Sequence, residues 1–150
     1  MIRGTTATFK FKLPHKLEHI AQARVVFWQE GYKGTLSNPL PIVKVYYESD
    51  FKDVNSDELV VILTSADTKA FTDTLKARVQ MKAINHGYYD ESGNWIVGGS
   101  FGSQPELFTV YPMDEGIMDG DVDENIPTSN EGYVILDGGG IISNLGAGEG

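Results

Sequence analysis

Residues 76–83 read KARVQMKA, and their alternation decides the fold class. Ala77, Val79, Met81 and Ala83 fall on one side of an extended chain, with Lys76, Arg78, Gln80 and Lys82 on the other. A two-residue period of this kind marks a strand with one buried and one wet face.

Working outward, the same period recurs. ATFKFKLP (residues 7–14) sets Phe9, Phe11 and Leu13 against Thr8, Lys10 and Lys12, and Pro14 closes the run. ARVVFWQEG (23–31) has Val25 and Phe27 on one face and Val26 and Trp28 on the other, so both faces are expected to be partly covered. IVKVYYES (42–49) groups Val43, Val45 and Tyr47, and ELVVILT (58–64) groups Leu59, Val61 and Leu63. In TSADTKAFTD (64–73), Thr64 and Asp67 have the spacing of a capping box, which predicts a turn or two of helix with Phe71 folded back onto the core. YYDESGNWIVGGS (88–100) predicts a hairpin with its loop at Asp90 to Asn94, and ELFTVYP (106–112) a last strand with Phe108 and Val110 inward. About seven short strands separated by turn residues predict an all-β domain, an immunoglobulin-like antiparallel β-sandwich over residues 1–112. The chain has no cysteine, so no disulfide or thiolate metal site can support it.

The remaining residues differ in kind. The formal net charge is −9, and residues 113–150 hold nine acids with no Lys or Arg. That leaves 12 acids against all 12 basic residues in the body. Nine of the 17 glycines also fall after residue 112, so residues 113–150 read as an extended acidic, glycine-rich C-terminal tail. A neutral body with an acidic tail argues against nucleic acid as a partner. No apolar run reaches the length of a membrane span and no secretion leader is recognisable, so no membrane partner is expected and folding is expected to begin in a cytoplasm.

Within the tail, EGYVILDGGGIIS (131–143) places strand-forming Tyr133, Val134, Ile135 and Leu136, then Ile141 and Ile142, among glycines that oppose a fixed backbone. Such a segment orders when a receiving surface supplies partners for its N–H and C=O groups, and the edge of a sheet is such a surface. The edge could belong to the chain's own body or to a neighbour. The neighbour is favoured, because a 20-residue connection at about 5–6 Å × √n reaches about 25 Å. These six residues are therefore the expected interaction residues, joining copies in a homo-oligomer.

Three other patterns bear on chemistry. PHKLEH (14–19) matches the H-x-x-E-H arrangement of a zinc hydrolase through His15, Glu18 and His19. A stretch of one turn between strands supplies neither a secure helix nor a third ligand, so a polar surface segment is expected; His86 stands alone and reads as a loop residue. DGDVDENIPTSNE (119–131) alternates Asp119, Asp121 and Asp123 as calcium loops do, but has Glu124 where the sharp turn needs glycine and Asn130 at the twelfth position. No metal site and no cofactor are expected, these three aspartates being the nearest approach to one. Trp28, Tyr32, Tyr46, Tyr47, Tyr88, Tyr89 and Trp95 offer rings on which a host glycan could stack, the alternative to a structural role.

The start MIRGTTATFKFKLP, then ARVVFWQEG, then LTSADTKAFTD before ARVQMKA, resembles in order and in motif a group of short proteins encoded by phages and prophages of gut bacteria. They share a Met-Ile-Arg-Gly-Thr-Thr start, a V-x-F-x-Q-x-G-like strand and an L-T-x-x-D-T-x-x-F-like turn. The resemblance covers roughly residues 1–112, with a weaker echo at 131–143, and the layout is also similar to the N-terminal domain of phage baseplate upper proteins. It implies a non-enzymatic virion structural or accessory protein of the tail, baseplate, neck or capsid surface. It also implies other virion proteins as partners, and the host cytoplasm as the place of assembly.

Overall fold

The structure is a computed structural model that describes residues 1–113 and, beyond them, the backbone of residues 134–137 and 140–143. The described chain is all-β, mostly antiparallel, with one short helix. Strands β1 (Ala7–Lys12), β2 (Ile20–Trp28), β3 (Ile42–Tyr47), β4 (Glu58–Leu63) and β5 (Ala77–Asn85) form the body, with helix α1 (Ser65–Thr68) between the last two. Then follow β6 (Tyr88–Tyr89), β7 (Trp95–Ile96), β8 (Gly99–Gly102) and β9 (Glu106–Phe108), and in the tail β10 (Val134–Asp137) and β11 (Gly140–Ser143).

The strands make two main sheets. One has the order β11-β10-β1-β4; the other has the order β3-β2-β5-β8, with β9 also paired to β5. In the first, Phe9 lies opposite Val61 and Phe11 opposite Leu59. In the second, Val25 lies between Lys44 of β3 and Met81 of β5. The alternation in the sequence becomes burial on one face of each sheet: Phe9, Val25, Phe27, Val61, Leu63, Ala77 and Val79 are fully buried. The two apolar faces meet at the Phe9 and Phe27 rings, 5.0 Å apart, and at Phe9 and Phe108, 5.1 Å apart. Each such buried Val, Leu or Phe side chain contributes about 1.5–3 kcal/mol relative to exposure.

The expected helical turn is present with both bonds of its capping box. Asp67 N–H donates to the Thr64 hydroxyl at 3.1 Å, and Thr64 N–H donates to the Asp67 carboxylate at 3.0 Å. Phe71 follows, fully buried against Phe108. The hairpin also forms where expected, with Tyr88 opposite Ile96 and Tyr89 opposite Trp95.

Strand β3 does not follow the inward reading of its neighbours. Val43, Val45 and Tyr47 do share a face, but it is the exposed one, and Ile42, Lys44 and Tyr46 take the half-buried side. The reason lies at the sheet's edge, where the inward positions are closed by polar and aromatic groups instead of a second sheet. Lys44 meets Asp67 of α1, and Tyr46 stacks near Phe51. At the end of the strand the Asp50 carboxylate accepts from Tyr47 N–H at 2.7 Å.

Candidate functional site

Two places on the described chain expose chemistry that the core does not use. The first is the edge of β1. With β4 on one side, β1 takes a strand on the other: β10 runs parallel to it, Phe9 opposite Val134, Lys10 opposite Ile135 and Phe11 opposite Leu136. The chain then turns back, and β11 pairs antiparallel with β10, Ile135 opposite Ile142 and Leu136 opposite Ile141. Five of the six expected interaction residues thus sit in a two-stranded addition to β1, here within one chain. Tyr133 lies outside the described residues, as do Asp119, Asp121 and Asp123.

The second place is the end of the body where the β6–β7 hairpin stands. His15 and His19 are both half-buried there: Tyr88 contacts both rings, and Phe101 lies 5.3 Å from His15. The His19 and Tyr88 rings are stacked 3.5 Å apart at an interplanar angle of 2°. Nδ1 of His15 lies 2.7 Å from the Tyr88 hydroxyl. Glu18 turns back to Nε2 of His19 at 3.2 Å, in a 3-10 turn spanning Leu17–His19. Burial, and then the neighbouring charge of His19, lower the pKa of His15 below the ordinary histidine range. The two histidines of the H-x-x-E-H spacing thus both contact Tyr88, and its glutamate pairs with His19. Among the described residues no three His, Cys, Asp or Glu side chains are grouped as a metal would require. His86 pairs with Glu48 at 3.4 Å.

The seven aromatic residues do not make one platform. Tyr88 is held by the histidines, Tyr46 lies by Phe51, Tyr32 packs against the core, and the Trp28 indole N–H donates to Glu30 at 3.1 Å. Tyr89 and Trp95 alone form a mutual pair, edge to face at 4.9 Å, and stay 70% and 54% exposed.

Among the described residues four polar or charged residues are buried, Gln29, Thr68, Asn85 and Glu106, and nothing in the sequence marks them as such. Gln29 spends its whole amide on the segment after Phe71: Nε2 donates to the carbonyls of Thr72 and Leu75, both at 2.8 Å, and Oε1 accepts from Thr72 N–H at 2.9 Å. Thr68, fully buried, donates to the Thr5 carbonyl at 2.7 Å and accepts from Gly4 N–H at 2.9 Å. Asn85 donates to the carbonyls of His86 and Val97. The first two belong to the motifs that carry the phage resemblance. Gln29 of the V-x-F-x-Q-x-G strand clasps the residues after the L-T-x-x-D-T-x-x-F turn, while Thr68 of that turn clasps the Gly-Thr of the start. The motifs are parts of one interlock that builds the body.

No protein-family model matches the chain, and neither a curated protein nor a solved structure is detectably similar to it.

Proposed function

We propose that this chain is a non-enzymatic structural or accessory protein of a phage virion, an immunoglobulin-like β-sandwich whose copies are joined by strand addition at β1. The observation that carries the reading is the parallel pairing of β10 with the edge of β1. Backbone pairing of this kind asks little of side-chain identity and suits a glycine-rich donor, since main-chain bonds supply the attraction and alternate side chains the selectivity. A strand that the chain can lay on its own β1 fits the same edge of an identical neighbour, and the 20 residues between the body and Tyr133 give the reach. Nine acids without a base after residue 112 keep unpaired tails apart until assembly. The hydrogen bonds of Gln29 and Thr68 give these motif residues a part in building the body, which supports a structural reading.

Mass spectrometry of purified particles carrying this gene is the direct test, and the protein is expected among the virion components in stoichiometric amount. Residues 1–112 alone are expected to fold as a monomer that fails to join the particle. Absence from particles overturns the reading.

A further inference from the structure

The β6–β7 hairpin is built more firmly than a surface loop needs to be. At its base, Asn85 Nδ2 donates to the carbonyls of His86 at 3.0 Å and Val97 at 3.1 Å, pinning both legs to the end of β5. Tyr88 is fixed between His15 and His19. At the tip, one Asp90 carboxylate oxygen accepts from the N–H groups of Ser92 at 2.9 Å and Asn94 at 2.8 Å, and Gly93 takes the positive φ of 84° that the turn requires. The Trp95 indole lies against Gly87, where any Cβ would collide with it.

All of this rigidity supports two rings that face water. Successive residues of a two-stranded ribbon point to opposite sides, so docking Tyr88 onto the body turns Tyr89 and its cross-strand partner Trp95 outward. Keeping large apolar rings ordered and exposed gains nothing for the fold. The hairpin loop carries the short polar side chains of Ser92 and Asn94 and the acids Asp90 and Glu91, with the Lys16 ammonium 4.0 Å from Glu91. Two acids against one base give phosphates and anionic polymers no attraction there. A neutral pyranose suits the loop, with axial C–H groups on the ring faces and hydroxyls reaching the carboxylate and amide groups.

We propose that Tyr89 and Trp95 form a binding site for a neutral hexopyranose chain, with Glu91, Ser92 and Asn94 as its hydrogen-bonding rim. The site is separate from the β1 edge, so it can fail without touching the assembly role. A single shallow site of this kind is expected to bind weakly, and several copies on one particle raise the avidity.

The test uses cellohexaose, chitohexaose and maltohexaose as probes on the full chain. The protein has two tryptophans, so Trp28→Phe leaves Trp95 as the only indole reporter. At least one probe is expected to change its fluorescence saturably and to shift amide resonances confined to residues 87–97. Tyr89→Ala is expected to weaken that binding at least about tenfold with the melting temperature unchanged, and Trp95→Ala, which also removes the packing on Gly87, to weaken it at least as much. Tyr89→Ala keeps the test open if the tryptophan variant misfolds, since Tyr89 is 70% exposed. No response to any of the three probes overturns the proposal. So do shifts mapping elsewhere, and so does a hairpin that responds only to a protein partner.

Discussion

Lys44 on β3 and Asp67 at the start of α1 meet at 2.9 Å, and the same carboxylate oxygen accepts from Thr64 N–H at 3.0 Å. One atom thus closes the helix cap and ties α1, which follows β4 of one sheet, to the edge strand of the other. Burial works against the ionised form of Asp67, but the hydrogen bonds from Lys44 and Thr64 outweigh it and hold the pKa below the ordinary carboxylate range. A native pKa below the unfolded one gives stability that is present above about 3.8 and is lost as the pH falls through the native value. Asp67→Ala is expected to cost about 1–2 kcal/mol in urea unfolding at pH 7, and Lys44→Met less than about 1 kcal/mol. The difference between Asp67→Ala and the parent should shrink below pH 3.8.

Thr68 offers a test of the interlock. Thr68→Val keeps the shape and removes the hydroxyl, leaving Gly4 N–H and the Thr5 carbonyl without it, at a cost of about 1–3 kcal/mol. Thr68→Ser keeps the hydroxyl and is expected to retain most of the stability. Equal melting temperatures for the two variants would show that the hydroxyl does not hold the N-terminal segment.

The histidine grip on Tyr88 makes stability depend on pH in the opposite region. His15 has a native pKa lowered by burial and by His19, so below about 6.5 the unfolded chain takes up a proton that the native one resists. Stability is full above that value and is expected to decline as the pH falls below it, levelling off once native His15 is also protonated. His15→Gln should flatten this part of the curve, measured by denaturant midpoint at several pH values. An unchanged slope would move the dependence to another group.

Strand exchange at β1 is directly readable, because the chain has no cysteine. Lys10 and Ile135 are register partners across β1 and β10. A Lys10→Cys, Ile135→Cys double variant is expected to give disulfide-linked multimers when oxidised in the assembled state. Under the same conditions as a dilute monomer it should give a single internally bridged species. Monomeric bands from the assembled sample would place the tail strand on its own body in the particle as well.

Much of the body was legible because its strands are half-buried, a state that writes itself as alternation. Phe9 with Phe11, Leu59 with Val61, and the series from Ala77 to Ala83 all follow it. Edge strand β3 misled because β-branched residues suit a pleated surface whether or not it is covered, so Val43 and Val45 carry no mark of which face is wet. The histidines misled for a related reason. Their partner Tyr88 lies 73 residues from His15, and nothing local announces that pairing. Gln29, Thr68 and Asn85 are polar residues in ordinary surroundings, and only the fold shows that their hydrogen-bonding capacity is spent inside. The hairpin, by contrast, was readable down to its loop, yet the outward turn of Tyr89 and Trp95 depended on Tyr88 finding its histidines.

The Asp50 carboxylate on Tyr47 N–H has a consequence for crowding. A docking chain would look along β3 for free donors, and that of Tyr47 at the strand's end is already taken from within. The charged Lys44, held on the inward side by Asp67, further spoils the strand as a template. The exposed Val43, Val45 and Tyr47 therefore lie on a strand whose side is poorly suited to accept another, and two molecules pressed together there are not led into a continuous sheet. On the proposal that copies of this chain assemble through β1, such a refusal at β3 matters as much as the place to join.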